Sequence, residues 1–238
     1  MFYNKIIESS QGLFTVLIDP DKYDEPAIRK ISALASTCNV DFFLLGGSFV
    51  KSNMEATLDY IRRYSNIPVI LFPGSPLQFT SKANAILLLS LISGRNADFL
   101  IGNHVLIANA LKESKMEIIP TGYILISNGH PTSVQYMSNT MPIPLNKPEI
   151  AVSTALAGEQ LGLKAIYLEA GSGANAPIPP RTIEQVYNNV SIPIIVGGGI
   201  KTPSQVKSAR DAGAKMIVVG NSLEEDPEAL CKLISASK

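Results

Sequence analysis

The sequence places two acids where acids are costly. Glu169 is the one charged residue in the apolar run AIYLEAGSGA (165–174), and Asp19 closes another apolar run in the string LIDPDK. Buried carboxylates are rare unless paired or put to use. Glu169 suits either a salt bridge with a neighbour or the acceptance of hydrogen bonds from substrate hydroxyls. Tyr167, two residues earlier, faces the same way along a strand. Asp19 has three readings: a ligand for Mg2+, a general base, or a cap for the following helix, where Asp21 and Asp24 also offer caps. Ser48 sits beside Gly46 and Gly47 at the end of the apolar run FFLL. One carboxylate, one hydroxyl and several waters would make a sparse Mg2+ site of the kind completed by substrate phosphates, with turn formation as the alternative.

Glycines supply a second signal. Gly197-Gly198-Gly199 follows IPIIV, and Gly220-Asn221 follows MIVV one element later. Glycine lets backbone approach a phosphate closely and adopt positive φ. A following helix N-terminus offers free N–H groups and about half a positive charge to an anion. Tight turning alone is the plainer reading of any one glycine cluster; two clusters on successive elements favour a phosphate grip.

Such groups act together only if the chain brings them to one place. Short β-rich runs alternate with helix-like stretches throughout. The expected strands are Leu13–Ile18, Asp41–Leu45, Ile67–Phe72, Asp98–Ile101, Glu117–Leu125, Lys164–Leu168, Ile192–Val196 and Lys215–Val219. The expected helices are Glu25–Thr37, Lys51–Tyr64, Thr80–Ser93, Val105–Glu113, Glu149–Leu161, Thr182–Asn188, Ser204–Ala212 and Pro227–Ala236. Continuous apolar strands imply burial on both faces and hence a parallel sheet. Eight of each is the count of an α/β barrel, with an open doubly wound sheet as the alternative. Internal likeness favours the barrel: NIPVILFPGS resembles SIPIIVGGGI, ADFLIGNHVL resembles AKMIVVGNSL, and VDFFLLGGS loosely resembles KAIYLEAGSG. Each pair is four expected strands apart, as a duplicated half-barrel requires. In a barrel, Asp19, Ser48, Glu169 and the glycine turns all reach the C-terminal face, where barrel chemistry resides. The long stretch Ser127–Lys147 would lie on that same face, as a lid or a disordered loop.

Composition removes other classes. Lys+Arg and Asp+Glu both number 20, so no net field attracts nucleic acid or an anionic membrane. Trp is absent, which weakens an aromatic-platform nucleic-acid binder. AILLLSLI (85–92) is too short to span a bilayer and reads as a buried helix face. The opening MFYNKIIESS has no signal-peptide pattern, so secretion is not expected. Two cysteines, Cys38 and Cys231, without CxxC, argue against a disulfide scaffold or thiolate zinc site and fit a reducing, cytoplasmic setting. His104 and His130 share no ligand spacing and read as structural or solvated.

In order and register, LIDPDK, LLGGS, TGYILIS, YLEAGSGA, VGGGIKTPSQ and VVGN resemble the geranylgeranylglyceryl phosphate synthase family, which includes bacterial heptaprenylglyceryl phosphate synthases. The likeness covers nearly the whole chain and implies a single (β/α)8 TIM-barrel domain over 1–238. It implies a Mg2+-dependent prenyltransferase that joins the 3-hydroxyl of sn-glycerol 1-phosphate to a prenyl diphosphate, releasing diphosphate. By the resemblance, Asp19 and Ser48 hold Mg2+, and Glu169 and Asp19 are catalytic. Tyr167, Leu168, Glu169, Ala170, Gly171, Ser172, Gly173, Gly198, Gly199, Gly220 and Asn221 bind glycerol 1-phosphate. The heptaprenyl branch carries a KLDP pattern; Leu17 stands at the lysine position here, so the chain looks more like the geranylgeranyl branch. No DDxxD motif is present, so the metal would be held thinly. The resemblance further implies a cytoplasmic homo-oligomer, dimer or hexamer, whose product partitions to membrane. One wall of an apolar prenyl groove is expected around Phe79–Leu91. Two other readings remain: a phosphate-binding barrel isomerase or lyase, and a non-catalytic phosphate- or lipid-binding barrel.

Overall fold

Eight parallel strands close on themselves in a computed structural model that describes residues 1–127 and 129–237. They are β1 (Leu13–Ile18), β2 (Phe42–Leu45), β3 (Val69–Leu71), β4 (Ala85–Leu91), β5 (Glu117–Leu125), β6 (Ala165–Glu169), β7 (Ile194–Gly197) and β8 (Met216–Val219). Each pairs with its sequence neighbours, and β8 returns to β1 through Leu13 opposite Met216 and Val16 opposite Val219. The fold is a (β/α)8 barrel.

Strand periodicity sorts the apolar residues into two layers. Leu13, Phe42, Leu44, Ile70, Leu87, Ile119, Tyr167, Ile195 and Met216 fill the barrel interior. Phe14, Val16, Phe43, Leu45, Ile166, Leu168, Val196 and Ile217 lie in the layer between strands and helices. The same parity carries Asp19, two residues beyond Leu17, and Glu169, two beyond Tyr167, to the inner side at the C-terminal rim.

The helices are α1 (Phe2–Glu8), α2 (Glu25–Thr37), α3 (Met54–Tyr64), α4 (Asn103–Ser114), α5 (Ser133–Ser138), α6 (Pro148–Gln160), α7 (Pro180–Tyr187), α8 (Pro203–Asp211), α9 (Asn221–Glu225) and α10 (Leu230–Ser235). Their starts follow capping chemistry. Asp24 accepts from the Ala27 N–H at α2, and Asn53 accepts from the Glu55 and Ala56 N–H groups at α3. Ile28, Ile31 and Ala35 then turn one face of α2 to the sheet. At the opposite end of the barrel α1 closes the floor: the Phe2 and Tyr3 N–H groups donate to Glu117, and Ile6 is fully buried.

The third βα unit departs from expectation. The segment 85–91, expected within a helix, is β4, paired over seven residues with β5 from Ala85 opposite Glu117 to Leu91 opposite Tyr123. Asp98–Ile101, expected as a strand, lies in a turn of π-helix, Asp98–Gly102, that leads into α4. A leucine-rich run without period fits either structure, and leucine's helix propensity tipped the reading the wrong way. The likeness of ADFLIGNHVL to AKMIVVGNSL is therefore not a strand equivalence, since the second segment holds β8. Among the described residues, the only helical turn between β3 and β4 is the short Pro76–Gln78. The outer ring has a gap there.

Two smaller findings also differ. Cys38, at the end of α2, and Cys231, in α10, form a disulfide with Cα atoms 5.1 Å apart, where the sequence argued against a disulfide scaffold and for a reducing setting. The 127–147 stretch contains α5, capped by Thr132, and Ile143 pairs with Ile126 as an added bridge beside β5.

Candidate active site

The C-terminal rim opens into a polar mouth lined by Asp19, Asp21, Lys22, Ser48, Lys51, Tyr167, Glu169, Ser172, Gly173, Gly198, Gly199, Lys201, Gly220, Asn221, Glu224 and Glu225, among others. An apolar groove adjoins it, bounded by Pro73, Pro76, Leu88, Leu89, Leu91, Phe99, His104, Ile107, Val134 and Met137. Gly47, Ser48, Phe72 and Tyr123 line both spaces. β4 walls the groove through Leu88 from its outer face and Leu89 and Leu91 from its inner face, and α4 adds His104 and Ile107.

Glu169 forms the floor of the mouth. Burial pushes its carboxyl up to about 7, offset by the Gly171 N–H and the Tyr167 phenol, both of which favour the charged form. Gly171 N–H donates to Glu169 Oε1 at 2.6 Å. The Tyr167 hydroxyl is buried beside the carboxylate but does not meet the geometry of a formed hydrogen bond. Tyr167 stacks between Phe72 and Tyr123, with ring centroids 5.0 and 5.3 Å away. This aromatic stack separates the carboxylate from the barrel core, and burial raises the Tyr123 and Tyr167 phenols well above their ordinary range. Glycine is required at the neighbouring position: Gly198 has φ 83°, and a Cβ there would collide with Glu169 Oε1 and come within 2.9 Å of the Ala170 and Gly171 nitrogens.

Across the mouth, Asp19 Oδ1 accepts from the Asp21 N–H at 3.0 Å. Its other oxygen lies 3.3 Å from where a Cβ on Gly47 would stand. Burial raises the Asp19 carboxyl and the Asp21 N–H partly offsets it. Asn221 ties the other wall together, since its Oδ1 accepts from Ser172 Oγ at 3.1 Å and from the Gly173 N–H at 3.2 Å.

Most residues singled out from sequence therefore meet in one mouth. Leu168, Ala170 and Gly171 do not line it: the Leu168 and Ala170 side chains are buried in the outer layer, and Gly171 turns its N–H onto Glu169 Oε1. The helix-terminus contribution is also smaller than expected. At α8 the Lys201 and Thr202 N–H groups already donate to Gln205 Oε1 in a capping box, and α9 has only five residues. Sequence reading missed Lys22, Lys51, Lys201 and Glu224, which are loop or helix-start polar residues with no pattern to mark them. It also missed Gln78, a buried side chain in the short turn after β3.

Among the described residues no group of three His, Cys, Asp or Glu side chains is disposed to hold a metal ion. The donors present, one rim carboxylate and a serine, suit a hard cation that takes oxygen ligands and completes its shell with water and phosphate. Five carboxylates against three ammonium groups line the mouth, so a polyanionic ligand entering it needs added positive charge.

Known proteins agree with this architecture. A geranylgeranylglyceryl phosphate synthase from Spirosoma linguale is 53% identical over 226 residues, spanning 94% of this chain and 91% of that protein. The crystal structure of (S)-3-O-geranylgeranylglyceryl phosphate synthase from Thermoplasma acidophilum, in complex with its substrate sn-glycerol-1-phosphate, superposes with a TM-score of 0.91 at 31% identity. The superposition covers 99% of this chain and 96% of that one. Wild-type GGGPS from Thermoplasma volcanium gives 0.92 at 30% identity, covering 100% and 97%. The PcrB family model matches residues 4–238, the same span that builds the floor helix, the barrel and the mouth, and the chain belongs to the PcrB family.

Proposed function

We propose that the protein joins sn-glycerol 1-phosphate to a prenyl diphosphate, with geranylgeranyl diphosphate as the expected donor, and releases diphosphate. The observation that carries this reading is the junction itself: a polar mouth with a buried carboxylate opens into an apolar groove across Gly47, Ser48, Phe72 and Tyr123. A ligand with a charged head and a long apolar tail fits both spaces at once. At ~0.8 kcal/mol per buried CH2, a twenty-carbon tail offers on the order of 10 kcal/mol before ordering costs. The related T. acidophilum enzyme, in complex with sn-glycerol-1-phosphate, supports the acceptor assignment.

In this reading the glycerol phosphate rests against Tyr167, Glu169 and the loops at Ser172–Gly173, Gly198–Gly199 and Gly220–Asn221. Lys201 lines the same wall and adds positive charge beside the phosphate. The acceptor's 3-hydroxyl oxygen attacks C1 of the prenyl group; the new C–O bond forms as the bond from C1 to the diphosphate oxygen breaks. Glu169 takes the hydroxyl proton, for which a carboxylate with a pKa of about 7 is well matched. Asp19 and Ser48 would hold Mg2+ near the groove junction, where the ion supplies positive charge to the departing diphosphate. Phe72 and Tyr123 present aromatic surface at that junction, beside carbon that gains cationic character.

Incubation of the protein with radiolabelled glycerol 1-phosphate, geranylgeranyl diphosphate and Mg2+ tests the proposal. An organic-extractable ether is expected. No ether with any member of a ladder of prenyl diphosphates would overturn it in favour of another phosphate-binding barrel activity.

A further inference from the structure

Ser48 stands where mouth and groove meet, on a loop with no regular structure of its own (46–53). Two side chains outside that loop hold it from opposite sides. Gln78, only 2% exposed, turns its amide onto backbone: its Oε1 accepts from the Gly47 N–H at 3.2 Å and the Gly74 N–H at 3.1 Å, and its Nε2 donates to Gly47 O at 2.7 Å. The loops after β2 and β3 touch so closely that a Cβ on Gly74 would collide with Gly47 O and come within 2.9 Å of Ser48 Cα. From the β1 side, Asp21 accepts from the Lys51 N–H at 3.0 and 3.1 Å and from the Ser52 N–H at 2.8 Å. Its own N–H donates to Asp19 Oδ1.

We infer that Gln78 and Asp21 are positioning residues that fasten the Gly47–Ser52 strap at both ends, fixing Ser48 relative to Asp19 for the charged head of the donor. This rests on the proposed function for the identity of the donor. Neither side chain is needed to touch substrate. A buried amide satisfied three times is a stiff fastening, because releasing any one bond strands a backbone group away from water. Two clamps on one strap set the spacing of groups contributed by two different strands, which neither strand can set alone.

The test separates the donor side of the mouth from the acceptor side. Binding of inorganic diphosphate with Mg2+, and separately of glycerol 1-phosphate, is measured by calorimetry for the wild type, Gln78→Met, Gln78→Glu and Asp21→Ala. Gln78→Met and Asp21→Ala should each weaken magnesium diphosphate binding about tenfold, the usual loss when a supporting partner of a metal-site group is removed. Glycerol 1-phosphate affinity should stay within about twofold, as for sites that share no partners. Gln78→Glu keeps the acceptor oxygen but sets a second oxygen against Gly47 O in place of the donated bond, so it should lose at least as much as Gln78→Met. In turnover, the KM for prenyl diphosphate should rise while that for glycerol 1-phosphate holds. Unchanged magnesium diphosphate binding overturns the inference, as does an equal loss for both ligands, which marks a general structural role. If Gln78→Met does not fold, Asp21→Ala decides by the same readings. A wild type that makes no ether but shows the expected binding pattern overturns the proposed function and supports the strap. A wild type that binds no magnesium diphosphate overturns the strap.

Discussion

Glu169 holds its charge against the pull of its surroundings. The aromatic stack and the barrel wall remove water and raise its pKa to about 7, and only the Gly171 N–H and the Tyr167 phenol oppose them. In the proposed reaction the carboxylate must be ionised to accept a proton, so kcat/KM for glycerol 1-phosphate should climb with pH on a limb near 7. Tyr167→Phe removes one group that favours the anion and should move that limb to higher pH. Glu169→Gln should cost about 10²- to 10⁴-fold in rate, the range for loss of a positioned acid or base. A profile flat between about pH 5.5 and 8.5 would sink the assignment of Glu169 as base, since the limb should fall within that window. Stability carries the opposite sign. With its folded value above the ordinary one, Glu169 holds a proton that the unfolded chain has already released. Its stabilising contribution is therefore full below the unfolded pKa and fades as pH rises through about 7. Glu169 was legible in the sequence because a lone acid in an apolar strand is conspicuous. Gln78 was not, because an amide in a loop gains its meaning only from the backbone groups of two other loops.

At the scale of elements, what could be read tracked period and punctuation. β1, β2, β3, β5, β6, β7 and β8 were visible as apolar runs set among glycine, proline or asparagine. Their inward residues delivered Asp19, Tyr167 and Glu169 to the rim as parity requires. The fourth strand was not readable, because AILLLSL has no period to separate strand from helix. β4 walls the groove, so the hardest element to read also contributes to the apolar half of the site. Part of the region expected to wall a prenyl groove lines this apolar groove, through Leu88, Leu89 and Leu91, but as a strand. Filling this space should discriminate between substrates by tail length. Ile107→Trp, on the α4 side, is expected to raise the KM for a twenty-carbon diphosphate at least about tenfold, a modest fraction of the burial energy available. Dimethylallyl diphosphate and glycerol 1-phosphate should be affected far less. Equal losses for short and long donors would place the tail elsewhere.

The whole molecule divides along the barrel axis. Every group assigned to chemistry lies at the C-terminal rim, while the closure of the barrel floor lies at the other end, as is general for barrels of this type. There α1 plugs the floor, Glu117 takes its first N–H groups, and Lys5 pairs with Asp41 at 3.0 Å. The disulfide belongs to this end: Cys38 follows the last turn of α2, which runs back towards the strand starts, and links to α10. It joins residues 193 apart and so ties the C-terminal helix to the first βα unit beside the β1–β8 seam. A crosslink of that span restricts the unfolded chain strongly, and such bonds are typically worth about 2–4 kcal/mol. Cys231→Ser, or dithiothreitol on the wild type, should therefore lower the unfolding free energy obtained from urea titration by an amount in that range, seen as a fall in the urea midpoint. Turnover at low denaturant should be unchanged, because the rim residues gain nothing from the crosslink directly. If the midpoint does not move, the two sulfurs are not bonded in solution and the seam is held by packing of Leu230, Leu233 and Ile234 alone. If turnover at low denaturant falls as well, the floor and the rim are not independent.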